Sequence, residues 1–181
     1  HELDMRDPRV TVLVPSMGRI SAGLFAAAFR GMGINAKAVR TPDFPTLMTG
    51  RGNTSCKECI PLILTTGGLL EYVEGEQRPD ERVALFMPIA TGSCRLAQYV
   101  TFQRRLIRKK RLRNVTTFSL YTEDNYEGLT FKDYVAAFRA IVAGDVLDEV
   151  SNALLVLPKD KEGARTLFEE HFRHLETNLE Q

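Results

Sequence analysis

The chain has 181 residues, 44% hydrophobic and 26% charged, an ordinary globular balance that excludes wholesale disorder. Its formal net charge is +1, so no global field recruits nucleic acid or an anionic membrane. No run approaches the about 18 consecutive apolar residues of a membrane span, and the start, HELDMRDPR, lacks an apolar signal core, so a cytoplasmic protein of one domain is expected.

Position 1 is His rather than Met, and the chain is expected to be cut from a longer one. The first element is RVTVLVPSMGR, residues 9–19, a near-continuous β-branched run of the kind that forms strands buried on both faces. Ser21 is the expected cap of a small-residue helix, AGLFAAAFRGMG, which stops at Gly31 and Gly33. NAKAVRTP predicts a second strand ended by Pro42, and residues 43–53, rich in Pro, Thr and Gly, read as a loop. From Pro61, PLILTTGGLLEYVEG predicts a helix weakened by Gly67 and Gly68. RVALFMPIATG predicts a third buried strand. RLAQYVTFQRRLIRKKRL then reads as an amphipathic helix with Leu96, Tyr99, Val100, Gln103, Leu106 and Ile107 on one side. NVTTFSLYT predicts a fourth strand. Helical segments follow on both sides of Gly144, and a last helix carries Leu167, Phe168, Phe172 and Leu175.

Strands alternating with helices imply right-handed crossovers and a parallel sheet covered on both faces. The expected fold is therefore α/β: a Rossmann- or flavodoxin-like sheet of about four strands with extra C-terminal helices. Residues 1–145 form the α/β domain, and residues 146–181 a helical extension of it.

The three cysteines are the most informative residues. Cys56 and Cys59 stand in a C-x-x-C at the mouth of one apolar segment, and Cys94 closes the third strand. In sheets of this kind ligands bind outside the carboxyl ends of the strands, so topology directs all three thiols to one edge. An odd cysteine count in a reducing compartment points to metal, catalysis or burial rather than disulfides. Soft thiolates select iron–sulfur clusters, zinc or Cu(I). A closed zinc site needs a fourth ligand, for which His171 or His174 would have to fold back. A [4Fe–4S] cluster on three cysteines leaves one iron open. A redox dithiol, or simply a reduced pair beside a packed Cys94, accounts for the same spacing.

Motif context narrows the choice. GNTSCKECIPLILTTGGLLEY and FMPIATGSCRLAQYVTFQRRLI, with VPSMGRISAGLFAAAFRGMGINA before them and SLYTEDNYEGL after, resemble the dehydratase-like region of the large activase-related proteins. In those chains ATPase modules of the 2-hydroxyacyl-CoA dehydratase activase type are joined to a dehydratase-subunit-like region. The resemblance covers most of residues 9–145. It implies a [4Fe–4S] cluster in a Rossmann-like domain, with Cys56, Cys59 and Cys94 at the family's cysteine positions. It further implies an ATP-dependent activase that delivers low-potential electrons for reductive chemistry on an acyl-CoA thioester. A full dehydratase subunit has a second α/β domain and a partner subunit, whereas this chain has room for one domain. Catalysis by the chain alone is not expected; cluster binding and electron acceptance are. The rival expectation is a non-catalytic zinc-binding or assembly module of a larger protein.

Several residues near the same edge are candidates for substrate or cluster surroundings. Arg51 and Arg95 lie beside the cysteines in sequence, where a cation would offset thiolate charge. Ser16, Gly18 and Arg19, in PSMGR, offer backbone N–H groups and a guanidinium to an anion such as a CoA phosphate. The basic stretch Arg104, Arg105, Arg108, Lys109, Lys110, Arg111 and Arg113 has no interleaved aromatics, which argues against nucleic acid. It reads as a solvated helix face or a dock for an acidic activase surface. Glu123, Asp124, Tyr126 and Glu127 follow the fourth strand, without an assignable acid or base role.

Overall fold

The computed structural model describes residues 4–16, 18–55, 57–89, 93–119 and 130–180. Its first strand, β1 (Val10–Val14), is buried at all five positions. Alternation along it explains the continuous apolar run. Val10, Val12 and Val14 enter a cluster with Phe25, Phe29, Phe86 and Phe118, while Leu13 enters another with Leu69, Tyr72, Leu85 and Ile107.

Helix α1 (Arg19–Gly31) begins two residues before the expected cap. Gly18 holds the N-cap position with φ +96°, a left-handed conformation that favours glycine. Ser21 therefore lies inside the helix, where its hydroxyl donates to Asp148 Oδ2 at 3.1 Å. β2 (Ala36–Ala38) is only three residues long.

Residues 43–53 are a second helix, α2 (Phe44–Gly52), where a loop was expected. Asp43 and Thr46 form a capping box across its first turn, and Pro45 fits there because the first-turn N–H groups need no helical partner. α3 (Ile60–Gly75) follows. Gly67 is not merely a weak point in it: a Cβ there would meet Thr46 O at 2.1 Å, and one at Gly50 would meet Ile63 O at 2.0 Å. The two glycines let α2 and α3 cross with their backbones in contact, which fixes the loop between the helices.

β3 (Arg82–Phe86), a 3₁₀ turn at Arg95–Gln98, α4 (Tyr99–Lys110) and β4 (Val115–Phe118) come next. α4 buries Tyr99, Val100, Gln103, Leu106 and Ile107, the face its periodicity predicts. α5 (Phe131–Leu154) runs unbroken through Gly144 and across the 145/146 division, and α6 (Lys161–Leu179) completes the described chain.

All strand pairs are parallel, in the order β2-β1-β3-β4, with Val12 opposite Ala36, Val10 opposite Arg82 and Val83 opposite Val115. α1 and α5 cover one face, and α6 packs against them through Phe172, Phe168 and Leu175. α3 and α4 cover the other face. The order reverses at β1 and β3, so the crevice for a ligand opens beyond their carboxyl ends. None of the described helices is long and apolar enough to cross a membrane.

Candidate functional site

Cys59 is the N-cap residue of α3, its carbonyl accepting from Leu62 N at 3.1 Å and Ile63 N at 3.2 Å. Its Sγ lies 2.7 Å from the Tyr99 hydroxyl at the start of α4. Burial, the Cys59 contact and charge at Cys59 and Cys94 all push the Tyr99 phenol above its ordinary range. Tyr99 therefore keeps its proton and can donate a hydrogen bond to the Cys59 sulfur. Cys94, exposed, caps the 3₁₀ turn that leads into α4. Its neighbour Arg95 reaches across, Nη1 donating to Lys57 O at 3.1 Å. Two independent contacts thus hold the C-x-x-C loop against the Cys94 segment.

Cys56 lies outside the described residues. The backbone on either side of it is held by Glu58. Ser55 N and Lys57 N both donate to Glu58 Oε2, at 3.0 and 3.1 Å, and Ser55 Oγ donates to Oε1 at 2.8 Å. Burial acts to raise the Glu58 pKa, but these donors outweigh it and hold the carboxyl below its usual range. The sequence reading missed Glu58, although Ser55-x-x-Glu58 has the spacing of a reciprocal cap. It also placed Tyr99 only among core residues; nothing in the sequence signals its contact with a thiol 40 positions earlier.

The other candidates are dispersed. Ser16 lines an apolar pocket of about 220 Å³ with Pro15, Val39, Pro42, Pro61 and Leu64. Arg19 turns away from the cysteines: it binds Glu169 with Nη1 at 3.1 Å and Nη2 at 2.6 Å, and covers the Phe172 ring at 5.3 Å. Arg51 sits exposed in the last turn of α2, where a cation opposes the helix dipole. Arg104 donates to Thr117 Oγ1 at 2.9 Å. His171 and His174 are exposed on α6, on the far side of the sheet from α3 and α4. Glu123, Asp124, Tyr126 and Glu127 lie outside the described residues.

Among the described residues no group of three or more His, Cys, Asp or Glu side chains is arranged to hold a metal ion. The donor chemistry at Cys59 and Cys94 nonetheless suits a thiophilic one: soft sulfur, with a phenol hydroxyl 2.7 Å from the Cys59 Sγ, where partners of metal-bound ligands stand.

Strand order and parallel pairing define a flavodoxin-like α/β domain with Cys59 and Cys94 on the segments that follow the carboxyl ends of its strands. No protein family, curated protein or solved structure matches the chain.

Proposed function

We propose that this chain is an iron–sulfur domain of the 2-hydroxyacyl-CoA dehydratase-like class, accepting low-potential electrons from an ATP-dependent activase for reductive chemistry on CoA thioesters. The supporting observation is the 2.7 Å contact of the Cys59 Sγ with the Tyr99 hydroxyl, together with the Arg95–Lys57 bond that ties the C-x-x-C loop to the segment of Cys94, 35 residues on. Cys56, Cys59 and Cys94 would hold a [4Fe–4S] cluster, which supplies one-electron chemistry at low potential. Glu58 shapes the loop around Cys56. Arg95 fastens that loop to the Cys94 segment, and its cation offsets thiolate charge. Tyr99 draws electron density from the Cys59 sulfur, which favours the reduced state.

The test is anaerobic reconstitution with iron and sulfide, with metal and sulfide counted on wild type and on Cys56→Ala, Cys59→Ala and Cys94→Ala. Brown protein with near-stoichiometric cluster, lost in each variant, is the expected result. Colourless protein, variants equal to wild type, or retention of zinc alone would refute the reading.

A second reading, an assembly module of a larger protein, is favoured by α5. Phe138, Val142, Val146 and Val150 recur every fourth residue along it, 57%, 47%, 56% and 41% exposed, and form an apolar stripe without a cover among the described residues. Under that reading the cysteines bind zinc or nothing.

A further inference from the structure

The basic stretch of α4 and the turn after it does not face one way. Arg105, Lys109 and Lys110 line a cleft of about 550 Å³ between α4 and a wall of Gly52, Asn53, Thr54, Ser55 and Glu58, a volume in the usual range of small-molecule sites. Arg108 and Arg113 are exposed but lie outside it. Helical spacing explains the division: positions 102, 105, 106 and 109 fall three or four apart and share one face. Phe102, partly buried, and Leu106, 5% exposed, line the same cleft and add apolar surface to it. Among the described residues the side chains of Arg105, Lys109 and Lys110 have no hydrogen-bond or ion-pair partner.

The charge of the cleft limits what it accepts. Three cations and the Glu58 carboxylate give +3 − 1 = +2. Glu58 is already engaged with Ser55 and Lys57, so it does not neutralise the opposite wall. A phosphate monoester carries about −1.5 to −2 at neutral pH and presents three acceptor oxygens. Arg105 offers a planar fork and the two lysines offer point charges, the combination suited to such an oxyanion. Phe102, half-buried, gives a flat organic group a surface to lie on.

We infer that the cleft between α4 and the wall of Gly52, Asn53, Thr54, Ser55 and Glu58 is a binding site for a phosphate monoester with a flat apolar group, held by Arg105, Lys109 and Lys110 beside Phe102. The site needs no metal at the cysteines, so it stands or falls separately from the iron–sulfur reading.

The experiment uses the whole chain in phosphate-free buffer, with AMP, adenosine and inorganic phosphate as probes in calorimetric titration. AMP is expected to bind more tightly than either part alone. Arg105→Ala/Lys109→Ala should weaken AMP at least tenfold. Arg108→Ala/Arg113→Ala, which removes the same charge from the same region outside the cleft, should change it less than twofold. Phe102→Ala should weaken AMP while leaving inorganic phosphate unchanged. Both double variants alter exposed side chains, so folding is not at stake in them. Failure of AMP to bind, equal weakening by the two double variants, or equal binding of AMP and inorganic phosphate would each overturn the proposal.

Discussion

Two buried tyrosines mark opposite ends of the sheet. Tyr72, near the C-terminus of α3, sits at the amino end of the strands and donates to the Glu81 carboxylate at 3.0 Å. Tyr99, at the start of α4, sits at the carboxyl end beside Cys59. Both belong to one apolar cluster, and burial raises both phenols. Their acceptors differ. Glu81, only 3% exposed, also accepts from Thr11 Oγ1 at 2.5 Å and Arg78 N at 2.9 Å, while Asn35 Nδ2 donates to Thr11 Oγ1 at 2.8 Å. That network is closed: each group is spent on another, and its role is to hold β1, β2 and β3 together. Among the described residues the Cys59 sulfur has one such contact, and Cys94 is exposed. The lesson is that the same residue, equally buried, closes a network where its acceptor is saturated and leaves bonding capacity at the site where it is not.

The largest effect is expected from Gly67→Ala. The added methyl meets Thr46 O at 2.1 Å and must push α2 off α3, at a cost of about 3 kcal/mol. Because α2 and α3 carry the cysteine loop, denaturant unfolding and maleimide labelling of Cys59 should change together. A stability loss with labelling unchanged would separate the crossing from the site.

Glu81→Ala breaks the other end alone. It leaves buried donors on Thr11 and Tyr72 unpaired, a loss of about 2 kcal/mol. Labelling of Cys59 and Cys94 should match wild type; altered labelling would show that the ends are coupled.

Acid sharpens the contrast. Burial pushes the Glu81 carboxyl up, but bonds from Thr11, Arg78 N and Tyr72 more than compensate and lower it from the ordinary 4.5. A depressed folded-state pKa means the ionised form is the one that stabilises. Its contribution is therefore complete above pH 4.5 and lost as pH falls through the folded-state value. Unfolding midpoints of wild type should fall on acidification more steeply than those of Glu81→Ala. Parallel curves would remove Glu81 from the acid transition.

Tyr99→Phe should have the smallest effect on stability, about 1 kcal/mol for one hydrogen bond, yet it acts at the site. In reconstituted protein the reduction potential should become more negative, since a donor to the Cys59 sulfur is gone. An unchanged potential would place Tyr99 in the core and nowhere else.

The sheet was legible because β1 and β3 are buried on both faces and so carry unbroken apolar runs. α4 was legible because its buried face repeats at helical spacing. α2 was not, because Pro45, Gly50 and Gly52 are loop residues by composition. The capping box of Asp43 and Thr46, and the crossing that needs Gly50, become visible only once α3 lies alongside. The cysteines announced themselves by spacing, and the topology of a parallel sheet sent Cys59 and Cys94 to the same edge. The partners of Arg19 and Tyr99 had no local signal. Arg19 bonds a glutamate 150 positions away, and contacts at that separation follow from packing rather than pattern.

The registry of β1 also sets a timetable for synthesis. Val12 meets Ala36 after 24 further residues (36 − 12), but Val10 meets Arg82 only after 72 (82 − 10). At about 5–20 residues per second, one edge of VTVLV waits roughly 4–14 s for its partner. The segment has no charge and no proline to discourage other strands. The strand at the centre of the finished sheet is therefore open to wrong partners until β3 has been made.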